Sequence, residues 1–243
     1  MATLILVRHG RTTANASGVL AGRTAGVKLD ELGAEQARRT GERLAVVPLA
    51  LAVTSPLERC RQTTRAILAA REPDAPPVPV STDRALTECD YGEWQGRPLR
   101  ELAREKLWKV VQSQPSAATF PAGESMARMQ TRAVTAVRRH DAAVAAEHGA
   151  GAVWLAVSHG DLIKAILADA LGMHLDLFQR IAVDPASVSI VRYGDARPTV
   201  LATNTHAGDL SWLAARKRGR RRAPGPAGGA PVGGGAGPAP GPA

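Results

Sequence analysis

Short unbroken apolar runs alternate along this chain with longer stretches whose apolar residues recur at helical spacing. Thr3 to Val7, Leu49 to Thr54 and Ala152 to Val157 have the length and β-former content of buried strands. Between and after them the spacing predicts helices over Leu29 to Ala45, with Asp30 as cap, and from Ser55-Pro56 to Ala70, with proline in the first turn. Further helices are predicted over Leu99 to Val111, Ser125 to Glu147 and Asp161 to Leu171. Val78 to Ser81 reads as another strand, and Ser187 to Arg192 with Thr199 to Thr203 as a late hairpin turning near Gly194-Asp195. Strands that alternate with helices predict an α/β fold, a mostly parallel central sheet flanked by helices on both faces, in three layers. Ligands of such sheets bind beyond the carboxyl ends of strands. Two histidines fall there, in Arg8-His9-Gly10 and Ser158-His159-Gly160.

Charge and composition change this picture mainly at the end of the chain. Of a formal net charge of +9, the stretch Arg216 to Arg222 supplies six, which leaves +3 for the remainder. Ala223 to Ala243 then holds only Ala, Gly and Pro with one Val. Such a segment lacks the apolar surface to offset its ordering entropy. Residues 1–212 are therefore expected to form one domain, and residues 213–243 a basic, then Ala/Gly/Pro-rich, disordered tail. Contact of the basic run with nucleic acid is a secondary reading, because short basic tails are more often solvated charge.

Other function classes find little support. The two cysteines, Cys60 and Cys89, have no CxxC spacing and no arginine six positions on, so neither a zinc site nor a cysteine-phosphatase loop is indicated. HExxH and Walker A segments are absent. No apolar run approaches the ~18–20 residues of a membrane span. The expectation is a cytoplasmic protein with reduced thiols, no membrane contact, no metal and no cofactor.

The chemistry of the strand ends points to phosphate. Arg8 and Arg11 flank His9, and arginine presents a planar fork of donors suited to phosphate oxygens. Thr12 and Asn15 add polar donors, and Gly10 permits close approach of backbone to a ligand. Arg59 lies in the first turn of a predicted helix, where anions are favoured, although a pair with Glu58 or Asp90 would equally account for it. The acid-rich loop Glu88 to Gln95 also contains Tyr91 and Trp94.

Taken together, these segments resemble the histidine phosphatase superfamily, also called phosphoglycerate mutase-like, over residues 3 to 212. The resemblance rests on Arg8-His9-Gly10 with Thr12 and Asn15, Leu29 to Ala37, Ser55-Pro56-Leu57-Glu58-Arg59 with Gln62-Thr63, Glu88 with Gly92, Trp94 and Gly96, Pro121 to Ser125, and Val157 to Gly160. It implies His9 as the nucleophile that accepts a phosphoryl group. Arg8, Arg59 and a protonated His159 would complete the phosphate site, with Asn15 and the Gly160 backbone as further donors. Glu88 would act as general acid and then general base. One residue departs from the pattern: Arg11 stands where the family commonly has Glu or Gln, with either a substrate role or a solvent-facing side chain.

The short Gly92 to Gly96 loop resembles phosphatase members, which implies a phosphate-monoester hydrolase acting on a small phosphorylated metabolite. A cofactor-dependent phosphoglycerate mutase and a non-catalytic phospholigand-binding module are the alternatives. The physiological substrate, the oligomeric state and the role of the tail are not expressed in the sequence.

Overall fold

The structure is a computed structural model that describes residues 1–194, 196–206, Val232, Gly233 and Gly235. Six strands form one mixed sheet: β1 (Thr3–Arg8), β2 (Leu49–Thr54), β3 (Val80–Thr82), β4 (Val153–Ser158), β5 (Val188–Arg192) and β6 (Thr199–Thr205), in the order β3-β2-β4-β1-β5-β6. The first four run parallel to one another, and β5 and β6 are antiparallel additions at one side. The helices are α1 (Thr13–Ser17), α2 (Glu31–Leu44), α3 (Glu58–Ala69), α4 (Leu99–Leu102), α5 (Lys106–Ser113), α6 (Met126–His148) and α7 (Gly160–Ala170).

The alternation of side chains along each strand divides the core in two. Leu4 and Leu6 of β1, with Trp154 and Ala156 of β4, join the larger cluster, which includes Met129, Ala133 and Val137 of α6 and Leu162 and Ile166 of α7. Ile5, Val7, Leu155 and Val157 point the other way, onto Leu44 of α2 and Cys60 and Ile67 of α3. Both sheet faces are thus covered, which is why β1 and β4 read as continuous apolar runs rather than alternating ones.

Two expected helices differ in detail. The helix expected from Ser55 starts only at Glu58, and Ser55 Oγ accepts from the Leu57 N–H at 3.4 Å while meeting His159 Nε2 at 2.7 Å. The single helix expected over Leu99 to Val111 is two, separated by turns in which Arg104 and Glu105 donate to Glu101 and Leu102. The helix α1 was not anticipated, since it is short and built from small polar residues. The hairpin of β5 and β6 is present; position 195 at its turn lies outside the described residues.

The basic run Arg216 to Arg222 and most of the expected disordered tail also lie outside the described residues. Val232, Gly233 and Gly235 are the exception. Val232 is buried and joins the larger core cluster. No helix among the described residues is long and apolar enough to cross a membrane.

Candidate active site

The chain leaves β1, passes to β2 and β3 on one side, and returns through α6 to insert β4 between β2 and β1. The strands β1 and β4 pair in register up to Arg8 opposite Ser158. His9 and His159, the next residue of each, therefore emerge side by side, their rings 5.2 Å apart and edge to face. Arg59, second residue of α3, reaches between them: Nε lies 3.2 Å from His9 Nε2, and Nη2 lies 3.2 Å from His159 Nδ1 and 2.7 Å from the Gly22 carbonyl. Neither Glu58 nor Asp90 is its partner; Glu58 faces Arg61 and Arg65, and Asp90 faces Arg23.

These contacts set the proton positions. Arginine only donates, so His9 Nε2 presents its lone pair and the ring proton lies on Nδ1, which donates to the Gly10 carbonyl at 2.7 Å. By the same reasoning His159 accepts at Nδ1 and donates from Nε2 to Ser55 Oγ at 2.7 Å. Burial, reinforced by Arg59 and Arg8, holds His9 well below its ordinary pKa. Burial followed by Arg59 and His9 does the same to His159. The protonated His159 implied by the resemblance is thus not the state of the free site, where one buried guanidinium already faces each ring.

Arg8 is fully buried and donates from Nη1 to the Val183 carbonyl at 2.9 Å. Arg59 Nη1 is buried without a hydrogen-bond partner among the described residues. Asn15 lines the same cavity as His9, Arg59 and Glu88. Its carbonyl accepts from the Thr12 N–H and hydroxyl while Thr12 caps the Asn15 N–H, which leaves the Asn15 amide group to point elsewhere. Gly160 begins α7, at a position whose N–H has no acceptor within the helix.

Gly10 serves a different purpose from the one expected. A Cβ there would lie 2.3 Å from the Gly33 carbonyl oxygen, and one on Gly33 would lie 1.9 Å from the Arg11 carbonyl oxygen. The two glycines let the loop after β1 lie directly on α2, while the Gly10 N–H donates to Thr63 Oγ1 at 3.1 Å. Arg11 is not among the residues that line the cavity, and its Nε pairs with Asp30, the cap of α2, at 2.8 Å.

Glu88 sits between two 3₁₀ turns, Arg84–Leu86 and Gly92–Trp94, and is almost wholly buried. Burial first, then the neighbouring Asp161 carboxylate, pushes its carboxyl up to about 7, against the opposing pull of the Cys89 N–H, Arg59 and Arg8. Sequence reasoning missed the residues that hold this acid. Arg23 and Arg132 both donate to the Glu88 carbonyl, at 2.9 and 3.2 Å, and both pair with Glu124. Asp161 lies beneath, accepting from Tyr91 Oη at 2.7 Å with Lys164 Nζ at 3.6 Å. An acid and a lysine one turn apart in a helix whose other residues, Asp169 aside, are apolar or glycine were the available signal for that pair. Trp94 stacks on Trp108 and meets Phe120 edge to face, and none of the three lines the cavity.

Cys60 Sγ comes within 3.4 Å of His159 Nε2, but burial pushes its thiol up to about 12, so it carries no thiolate. Among the described residues no three His, Cys, Asp or Glu side chains converge as metal ligands.

Two neutral imidazoles, two guanidinium groups and a carboxyl titrating near neutrality, gathered at the ends of adjacent parallel strands, are equipment for moving a phosphoryl group. Residues 4–206 match the histidine phosphatase superfamily (branch 1), and the chain belongs to that family. It is 34% identical over 191 residues to 2,3-bisphosphoglycerate-dependent phosphoglycerate mutase 2 of Gloeobacter violaceus, covering 76% of this chain and 82% of that one. Among solved structures, the α-ribazole phosphatase of Shigella flexneri superposes with a TM-score of 0.71 at 26% identity, covering 86% of this chain and 98% of that one. YhfR of Bacillus stearothermophilus does so with a TM-score of 0.73 at 27% identity, covering 87% and 98%.

Proposed function

We propose that this protein is a phosphate-monoester hydrolase that acts on a small phosphorylated metabolite through a phosphohistidine on His9. The observation that carries the reading is the His9 Nε2 lone pair, fixed by the Nδ1–H bond to Gly10, in a cavity shared with Arg59 and Glu88. A histidine attacks phosphorus only when neutral, and burial beside two arginines keeps it so.

In the first step His9 Nε2 forms the N–P bond as the ester P–O bond breaks. Arg8 and Arg59 hold equatorial oxygens, joined by His159 once its Nδ1 takes up a proton as the dianion binds, with the Asn15 amide and the Gly160 N–H as further donors. Arg59 Nη1, which has no acceptor among the described residues, then gains one. Glu88, protonated below about pH 7, gives its proton to the departing alkoxide, an effect worth ~10²–10⁴-fold in rate. In the second step Glu88 takes a proton from water as the water oxygen attacks phosphorus, the P–N bond breaks, and His9 recovers its lone pair. Guanidinium charge stabilises the transferring group, so turnover needs no metal. Both cysteines are free and buried thiols, in keeping with a cytoplasmic setting.

The test is phosphate release from p-nitrophenyl phosphate and a panel of phosphorylated metabolites in EDTA, comparing wild type with His9→Ala. Release and acid-labile labelling by wild type alone establish the hydrolase; labelling that survives His9→Ala removes His9 as nucleophile. Phosphoglycerate mutase activity is the second reading, favoured by the identity to the Gloeobacter relative. Isomerisation of 3-phosphoglycerate primed with 2,3-bisphosphoglycerate, without free phosphate, decides for it. Silence in both assays, with phosphate esters still bound, leaves the phospholigand-binding module.

A further inference from the structure

The residues of the site are closed off from solvent: His9, Arg59 and Glu88 are each at most 3% exposed, and Arg8 and His159 are fully buried. The cavity that His9, Arg59 and Glu88 line has room for about 20 Å³, roughly one water and less than a phosphoryl group with its ester needs. Part of what closes it comes from the far end of the chain. Val232, Gly233 and Gly235 line the cavity, with Gly233 beside Leu20 and Tyr91.

The seat is specific. The Gly233 N–H donates to Asp161 Oδ2 at 2.8 Å, beside the Tyr91 hydroxyl on the same oxygen. The Gly233 carbonyl accepts from Arg8 Nη2 at 3.4 Å. Val232 is 1% exposed. Gly233 has φ +75°, and a Cβ there would lie 2.8 Å from Leu20 Cδ1, so glycine is the residue the seat admits. A neutral carbonyl thus rests, through a long bond, on one of the donors that a phosphoryl group would take.

We propose that the Val232–Gly233 segment and a phosphoryl group exclude each other at this site, so that a phosphate ester enters by displacing the chain's own backbone from Arg8. The proposal rests on the phosphate-site reading above. A charged phosphoryl oxygen makes a stronger, shorter bond to guanidinium than a carbonyl does, which gives the ester the advantage at Arg8. Burial of Val232 and the Asp161 bond oppose it. The segment therefore lowers apparent affinity by the fraction of molecules in which it is seated.

The experiment uses the full chain, with Val232→Asp, which would place a charge in an apolar seat, and Gly233→Leu, which overfills it. Both changes lie outside the 4–206 family region. Orthovanadate binding is measured by calorimetry, KM and kcat with p-nitrophenyl phosphate, and exchange of the Gly233 amide with and without vanadate. Both variants are expected to bind vanadate on the order of tenfold more tightly, to lower KM with kcat retained, and to lose protection at Gly233. Vanadate should strip that protection from wild type. Weaker vanadate binding in the variants overturns the proposal, because the segment then helps to hold the ligand. Equal binding, with Gly233 protection untouched by vanadate, overturns it too while leaving the hydrolase reading intact. Failure of every protein to bind vanadate removes the phosphate-site reading, and the competition with it.

Discussion

Arg59 Nε lies 3.2 Å from His9 Nε2, so a guanidinium N–H covers the lone pair that the proposed mechanism directs at phosphorus. In the free protein this contact fixes the tautomer and lowers the basicity of the ring at once. On binding, phosphorus must take the place of that proton, and Arg59 must shift its donors to the phosphoryl oxygens. Replacement by lysine keeps the charge but not the fork. Arg59→Lys is expected to reduce kcat/KM with p-nitrophenyl phosphate by about 10²-fold, the scale of one lost donor to developing charge. A steady-state comparison that finds kcat/KM preserved would show that charge alone suffices.

The acid should set the alkaline limb of the pH profile. Glu88 must be protonated to act on an alkyl ester, and its carboxyl titrates at about 7, so kcat/KM should fall as pH rises through that value. Because the Asp161 carboxylate helps to raise Glu88, Asp161→Asn should move the limb to lower pH. Glu88→Gln should slow an alkyl phosphate by ~10²–10⁴-fold and p-nitrophenyl phosphate much less, since that leaving group departs unassisted. Equal losses on the two esters would assign Glu88 another role.

The same burial carries a stability signature. A carboxyl at about 7 in the folded chain and 4.5 as its reference favours the folded state while protonated, so that contribution is full below pH 4.5 and is lost as pH rises through 7. The loss amounts to ~3 kcal/mol at 1.36 kcal/mol per pK unit. Glu88→Gln should therefore be more stable than wild type at pH 8 and nearly equal to it at pH 4.5. Urea unfolding at the two pH values measures the difference.

The crossing of Gly10 over Gly33 gives a prediction for the scaffold. A methyl group on Gly33 would lie 1.9 Å from the Arg11 carbonyl, backbone against backbone, where no side-chain rotation relieves it. Gly33→Ala should cost ~1–3 kcal/mol of overpacking, despite being favourable for an isolated helix. It should also lower activity by moving the loop that carries His9. Chemical denaturation and turnover of the same sample test both effects.

Much of this fold was legible in the sequence, for identifiable reasons. Leu49–Thr54 was bounded correctly because a strand buried on both faces leaves an unbroken apolar run. Both histidines were placed at strand ends by the same argument. The helix start at Asp30 followed from a side chain able to accept from the next turn, and the helix from Ser125 from its alanine-rich composition. What sequence could not provide was pairing across long separations. It offered Glu58 or Asp90 as partners for Arg59, whereas the partners are His9, Gly22 and His159, brought close by the sheet. It read Gly10 as room for a ligand, when the neighbour is a second glycine in α2. Nor did it single out Arg23 and Arg132, because arginines that support a loop from two separate elements have no spacing in common.

The placement of β1 at the centre of the sheet bears on how the molecule is made. Its neighbours are β4 and β5, which begin at Val153 and Val188, so β1 is synthesised long before either of its edges can be covered. Local pieces such as α2 with α3 can assemble while translation continues, but the paired histidines cannot meet until β4 has been released. Catalytic competence should therefore arrive late and abruptly in biosynthesis, and a nascent chain arrested before Val153 would expose an apolar strand with two open edges to chaperones or to aggregation.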